Sequence, residues 1–232
     1  VSECRTNLRW HELRSARYEK PDCPDRYDRN VKLLRRVGAG KRVLELGCST
    51  GYITRRLIQQ NCSVTAIEKD TEAVRAATET GATVLNRNLD SPDWLAGIEP
   101  GFDVVLMGDV LEHLVNPCEV LRQARPLLCG GGYAVICLPN LVHWLTRLQI
   151  ALGRFNYQPV GTLDATHLRF FTCESARCMV EEAGYRLLNF DPIIGGRLSG
   201  HFRPAWQLMA RLRPGVFAYQ LLLSASPAPE IT

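Results

Sequence analysis

The chain has 232 residues, 46% of them hydrophobic and 22% charged, enough for one full α/β domain with a substantial core and short for two. No apolar run is long enough for a membrane span, and the N-terminus lacks the charged-then-apolar layout of a secretory leader, so a cytoplasmic protein is expected. The nine cysteines form no C-x-x-C pair, which argues against a disulfide framework or zinc ribbon and for free thiols used as small hydrophobes.

The formal net charge is only +4, but it is unevenly placed. Residues 1–42 carry twelve Lys or Arg against six Asp or Glu, and Arg197, Arg203, Arg211 and Arg213 stand without an acid between Asp191 and Glu230. Such basic ends meet an anionic substrate, nucleic acid or membrane surface, or are simply solvated faces; the solvated reading is the default.

Residues 1–24, with Pro21 and Pro24 and little periodicity, read as an N-terminal arm. A helix is expected over 25–37, with Tyr27, Val31 and Leu34 on one stripe and Gly38 to Gly40 ending it. The apolar run from Val43 to Leu46, interrupted by Glu45, then meets a turn holding Gly47 and Gly51, and a helical pattern follows at once: strand, ligand-cradling loop, helix. A second strand, Ser63 to Ile67, ends at Glu68, about 20 residues after the loop opens, where an acid can accept both hydroxyls of a ribose. Asp70 or Thr71 caps the next helix, which carries Val74 and Ala77 and stops near Gly81.

The third strand is Thr83 to Asn86, followed by Asn88-Leu89-Asp90. The fourth is Phe102 to Met107, with Gly108 to Leu114 leaving its carboxyl end. Asn116 caps a helix with Val120, Leu121, Ala124, Leu127 and Leu128 as its buried stripe, ended by Gly130 to Gly132 before a fifth strand, Tyr133 to Leu138. Residues 140–171 break the alternation: a helix with Leu141, Leu145 and Leu148 on one stripe precedes a loop rich in Gly, Pro and aromatic residues, together a lid insertion. Thr172 caps a helix holding Met179, Val180 and Ala183; a sixth strand spans Tyr185 to Phe190, a short helix Trp206 to Leu212, a last strand Val216 to Leu223, and 226–232 form a disordered tail. Alternation of this kind implies right-handed crossovers and a mostly parallel seven-stranded sheet covered on both faces, with its ligand outside the carboxyl ends of the strands.

Spacing separates two nucleoside-binding loops. The dinucleotide fingerprint G-x-G-x-x-G fails, because Gly47 is followed by Ser49 and Tyr52 where further glycines would stand. What stands instead is E-x-G-x-S-x-G from Glu45, which resembles motif I of the class I S-adenosylmethionine-dependent methyltransferases. The resemblance covers residues 25–225 and is strongest over 41–139; the segments Asp109 to Leu114 and His167 to Thr172 are similar to those of the small-molecule subgroup that includes ubiquinone-pathway O-methyltransferases and enzymes of glycan or secondary-metabolite clusters. It implies a Rossmann-like, doubly wound fold closed by a C-terminal antiparallel hairpin, with the first helix over a bound S-adenosylmethionine. It further implies contacts from Glu45, Gly47, Cys48, Ser49 and Gly51 near the cofactor's amino acid end, Glu68 and Lys69 by the ribose, Asn88 and Leu89 at the adenine, and Asp109 beyond the fourth strand. Most relatives carry Asp where this chain has Asn88.

Methyl transfer from a sulfonium is an in-line displacement that needs no covalent intermediate, and a hydroxyl acceptor is helped by a base. His113 and His167 are the candidates, and each reads equally well as scaffold: His113 fixing loop geometry, His167 bonding a backbone carbonyl ahead of a Phe170-Phe171 pair packed in the core. His143 and Trp144 read as substrate-shaping residues of the lid. Asp109-x-x-Glu112-His113 with a distant His167 resembles the E-x-x-E-H and H metal quartet of terminal 2′-O-methyltransferases of small RNAs, but Asp109 shortens one ligand and no metal is assigned. The expected activity is methyl transfer to an oxygen of a small metabolite or glycan, by a monomer or small oligomer, a homodimer included. The alternatives are an RNA 2′-O-methyltransferase using the basic ends, against which stands the lack of an aromatic-basic RNA module, and a cofactor-binding partner subunit without turnover.

Overall fold

The computed structural model describes residues 28–195 and 202–229. The expected N-terminal arm, Tyr27 and residues 230–232 of the expected tail lie outside that range. The first described helix, α1 (Arg29–Val37), is opened by Asp28, whose carboxylate accepts from the Asn30 N–H at 2.8 Å, and it buries Asn30, Leu33, Leu34 and Val37. Then follow β1 (Arg42–Leu46), α2 (Tyr52–Gln59), β2 (Ser63–Glu68), α3 (Thr71–Thr78) and β3 (Thr83–Asn86). Asp70, not Thr71, caps α3, accepting from the N–H groups of Glu72 and Ala73.

The chain continues through β4 (Phe102–Gly108), a single 3-10 turn at Leu111–His113, α4 (Pro117–Ala124) and β5 (Leu128–Pro139). Gly130 to Gly132, expected to end α4, belong to β5 instead. The helix stops earlier because Pro126 has no N–H to continue it, and Arg125–Leu127 tighten into a 3-10 turn. Gly132 is needed where β4 and β5 slip register: a Cβ there would lie 2.8 Å from the Phe102 carbonyl oxygen.

The last third holds α5 (Trp144–Ala151), α6 (Cys173–Glu182), β6 (Tyr185–Ile193), α7 (Arg203–Leu212), α8 (Pro214–Phe217) and β7 (Gln220–Pro227). Thr172 caps α6 in a reciprocal capping box with Ser175. β6 runs past Pro192, which is tolerated because β6 is an edge strand paired only with β7. The last strand lies four residues later than its expected start: Pro214 sits in the first turn of α8 and carries Val216 and Phe217 into helix, and β7 takes in Ser226 and Pro227 of the expected tail. The leucine stripe expected to bury α5 does not do so. Leu145 and Leu148 face outward, and Thr146 is the one buried residue of that helix.

The seven strands pair in the order β3-β2-β1-β4-β5-β7-β6, all parallel except β7, which runs antiparallel to both neighbours. One apolar layer packs α4 and α6 on one face around Leu121, Val180 and Tyr185; the other packs α1, α2 and α3 on the opposite face around Leu33, Leu57 and Ala77. The sheet turns direction between β1 and β4, so the loops after those two strands flank the crevice where doubly wound folds bind ligands. This is the expected Rossmann-like, doubly wound architecture closed by an antiparallel C-terminal hairpin. Among the described residues no helix is long and apolar enough to cross a membrane.

Candidate functional site

The loop after β1 is built against β2 and β4. The N–H groups of Gly47 and Cys48 donate to the Ile67 carbonyl at 2.8 and 3.2 Å. Gly47 has φ +74°, and a Cβ there would stand 2.5 Å from Cγ2 of Val110, so glycine is required where the two loops meet. Glu68, buried at the end of β2, receives the Ser49 N–H on Oε2 at 2.9 Å and those of Lys69 and Asp70 on Oε1 at 2.9 Å each. Its two oxygens retain further acceptor sites toward the crevice. Asn88 Oδ1 accepts from the Asp90 N–H at 3.1 Å, which fixes the turn that brings buried Leu89 to the same crevice.

Gly47, Ser49, Glu68, Lys69, Asn88, Leu89 and Asp109 all line one cleft of about 1200 Å³. Ligand sites run to about 1,000 Å³, so this one is at the large end. Glu45, Cys48 and Gly51, expected beside the cofactor, do not line it. Glu45 is buried under the loop and accepts the Thr54 hydroxyl at 2.6 Å. Cys48 is buried, and burial pushes its thiol well above the ordinary range. Gly51 starts α2, and a Cβ there would meet the Ala77 backbone at 2.9 Å, so its glycine serves the approach of α2 to α3.

Burial, aided by the charge of Glu68 and opposed by the Thr54 bond, raises the Glu45 carboxyl from 4.5 to about 7. A folded-state value above the unfolded one stabilises fully below about pH 4.5, and that stability is lost as pH rises through 7. Glu45→Gln keeps an oxygen for Thr54 and does not titrate. Between pH 4.5 and pH 8 the wild type should therefore lose about 3 kcal/mol more stability than the variant. Urea unfolding at both pH values measures this, and parallel curves would mean that Glu45 titrates normally.

Asp109 occupies a positive φ of 56° directly after β4. Its carboxylate pairs with the Arg29 guanidinium and accepts from Gln220 Nε2 at 2.9 and 3.1 Å, joining α1 to β7 across the floor of the cleft. Arg29 Nη2 also donates to the Tyr52 hydroxyl at 2.9 Å. Arg29, Tyr52 and Gln220 line the cleft and were not singled out from the sequence, where an arginine in a basic stretch carries no signal. His143 and Trp144, read from the sequence as substrate-shaping, belong to an aromatic wall whose other members, Trp206, Phe217 and Tyr219, were not singled out. Trp144 stacks on Trp206 at 6.0 Å, Phe217 meets Trp206 at 5.5 Å, and Tyr219 meets His143 edge-on at 5.7 Å, all on the same cleft. Burial lowers His143 to about 4, so this wall is uncharged near neutral pH.

The lid over residues 140–171 has closed stems, since Asn140 and Phe171 form a bridge and Leu141 N–H donates to the Phe171 carbonyl at 2.9 Å. Phe171 enters the core, whereas Phe170 stays half-buried against Phe155 at 6.0 Å. The lid carries Asp164, Thr166 and His167 back onto the 3-10 turn after β4. His113 Nδ1 lies 3.2 Å from the Thr166 carbonyl oxygen and 3.1 Å from its hydroxyl, which itself donates to Asp164 at 2.7 Å. A carbonyl only accepts, so Nδ1 carries the proton and Nε2 the lone pair. Burial, helped by His167, lowers His113 to about 4.

His167 faces His113 edge-on at 4.7 Å, and its Nδ1 donates to the Thr162 carbonyl at 3.2 Å. Its Nε2 stands 3.9 Å from Oε1 of Glu112, too far for a hydrogen bond. Burial, opposed by a backbone hydrogen bond and the Arg29 charge, raises Glu112 to about 8. Glu112, His113 and His167 each offer a ligand atom within 4.8 Å of the others, a set able to hold a metal ion; Asp109, held by Arg29 and Gln220, is outside it.

An α/β sheet with a glycine-turned loop after β1, a buried acid after β2 and a large cleft at the switch point is the doubly wound arrangement that places a ligand at the carboxyl ends of the strands. The methyltransferase-domain family profile matches residues 15–189, and the chain belongs to that family, whose class I members use S-adenosylmethionine. It is 29% identical over 188 residues to a ubiquinone biosynthesis O-methyltransferase of Ralstonia nicotianae, covering 76% of this chain and 78% of that one. Among solved structures it is similar to an S-adenosylmethionine-dependent methyltransferase of Archaeoglobus fulgidus (TM-score 0.59, 17% identity, 84% of this chain and 91% of that one). It is also similar to the 1,6-didemethyltoxoflavin N1-methyltransferase of Burkholderia thailandensis (TM-score 0.55, 18% identity, 86% and 76%). At such identities the solved structures speak for the fold.

Proposed function

We propose that this protein transfers the methyl group of S-adenosylmethionine to an oxygen of a small, largely apolar acceptor. The observation that carries the reading is the His113 imidazole, held through Nδ1 by Thr166 on the same cleft as both the Glu68 loop and the aromatic wall. The cleft suits the cofactor. The Arg29–Asp109 pair offers both signs of charge to an amino acid zwitterion, Glu68 offers acceptors to a ribose, and Asn88 with Leu89 offers a polar edge and an apolar face to adenine. Bound there, the cofactor supplies a methyl carbon on a sulfonium. The aromatic wall holds the acceptor and excludes water, and His113 Nε2 takes the proton of its hydroxyl while Thr166 and Asp164 hold the ring. The O-methyltransferase relatives support oxygen as the atom methylated.

The cluster of Glu112, His113 and His167 favours a second reading, in which a divalent cation on these groups polarises the acceptor hydroxyl and the histidines act as ligands. Calorimetric titration with S-adenosylmethionine and with a reduced nicotinamide dinucleotide, each with and without a chelator, tests the cofactor assignment. Micromolar binding of the former alone is expected; binding of the dinucleotide alone, or of neither, would remove it. A screen of phenols, hydroxy acids and nucleotide sugars, run with chelator and with magnesium, then separates the base from the metal reading.

A further inference from the structure

Large apolar side chains left exposed are not scattered over this molecule. Of the fourteen among the described residues, eight lie on the lid, from Leu145 to Leu168, and four on α7 and the residue before it: Phe202, Leu208, Met209 and Leu212. The two groups adjoin, because the Trp144–Trp206 stack holds α5 beside α7. On α7 the apolar residues 205, 208, 209 and 212 recur at helical spacing on the side away from buried Gln207 and Ala210, with Leu208 at 58% and Leu212 at 71% exposure. A solvated helix would put polar groups there.

The charge of this surface is one-sided. Residues 140–171 contain Arg147, Arg154 and Arg169, and their single acid, Asp164, is fully buried. Residues 202–229 contain Arg203, Arg211 and Arg213 and no acid. Beside Leu208 a groove of about 650 Å³ between α1 and α7 gathers Lys32, Arg35, Arg36 and Arg211 around one carboxylate, Asp191. Asp191 is already engaged by Lys32 at 3.1 Å and stands 4.0 Å from Arg36. Arg35 and Arg211 are exposed and form no ion pair among the described residues.

We propose that the α5–α7 face docks on an anionic lipid bilayer, with Leu148, Leu152, Leu208 and Leu212 entering the acyl boundary and the arginines and the α1–α7 groove meeting lipid phosphates. A bilayer supplies both complements at once, an apolar layer under a negatively charged one. A second copy of the chain does not, since a two-fold contact would set these arginines against themselves. Nucleic acid would leave the leucines unmatched. The association is peripheral. Leu145, on α5, is exposed and also lines the cleft, as does Val160 of the lid, so an apolar acceptor would reach the site from the lipid side.

The test is sedimentation of the whole chain with vesicles of phosphatidylcholine alone and with added phosphatidylglycerol, at low and high salt. Binding is expected only with phosphatidylglycerol, and it should fall as salt rises. Arg154→Glu with Arg211→Glu should weaken it by about 30-fold or more, and Leu148→Asp with Leu208→Asp should abolish it. These positions are exposed, so thermal unfolding should be unchanged. Absence of binding, equal binding to both vesicle types, or binding indifferent to both variants overturns the proposal. So does a dimer in solution that the leucine variant dissociates, which would make this face a contact between copies.

Discussion

Replacing Glu68 by alanine should weaken S-adenosylmethionine binding by about 100-fold or more and destabilise the folded chain as well. In the proposed site Glu68 would accept two charge-assisted hydrogen bonds from the ribose, each worth roughly 1.5–3 kcal/mol, and the affinity loss is their removal. From the sequence Glu68 is a ligand contact alone, and its removal is expected to leave the fold untouched. The structure gives it a second role, because its carboxylate is the acceptor for the N–H groups of Ser49, Lys69 and Asp70, and so holds the loop after β1 to the end of β2. Truncation leaves those part-buried donors without their protein acceptor, a loss of about 1 kcal/mol. Calorimetry with the cofactor and urea unfolding of the free protein measure the two effects separately. Lost stability with unchanged affinity would keep Glu68 as a brace and take it away from the ribose.

What could be read from the chain was whatever depends on spacing. The loop at Gly47, the acid after β2, the alternation of strands and helices and the caps at Asp70 and Thr172 are local, and the structure has them in place. What could not be read was the direction of side chains where periodicity carries no information. β1 is buried on both faces, so alternation does not tell that Glu45 turns under the loop toward Thr54 while Glu68 turns into the cleft. The Asp109 carboxylate, on the cleft as expected, is also a strut, held by two partners, Arg29 and Gln220, that are 80 and 111 residues away in sequence. The late start of β7 has the same origin: Pro214 is as compatible with the first turn of a helix as with a turn before a strand, and pairing with β5 and β6 decides. The leucines of α5 have helical spacing and form the helix, yet they face outward, because spacing fixes a stripe but not what covers it.

Replacing His113 by alanine should lower kcat by about 10²–10⁴ and leave the dissociation constant of S-adenosylmethionine within about twofold of the wild type. The histidine must be neutral to take a proton, and burial together with His167 lowers it from 6.5 to about 4, so it remains a base down to pH well below its ordinary range. The acid limb of kcat/KM should accordingly fall near pH 4 rather than 6.5 and be absent from the alanine variant. His167→Ala removes one of the charges that depress His113, so its acid limb should move upward toward 6.5 with a smaller loss of kcat. That pair of profiles is what a purely structural role would not produce, since a scaffold histidine lowers activity at every pH alike. It also divides the base reading from the metal reading. If Glu112, His113 and His167 hold a cation, both alanine variants should lose activity together, excess magnesium should restore part of it, and a chelator should bring the wild type down to the same level. If His113 is the base, the wild type is indifferent to the chelator and only its own substitution removes the limb.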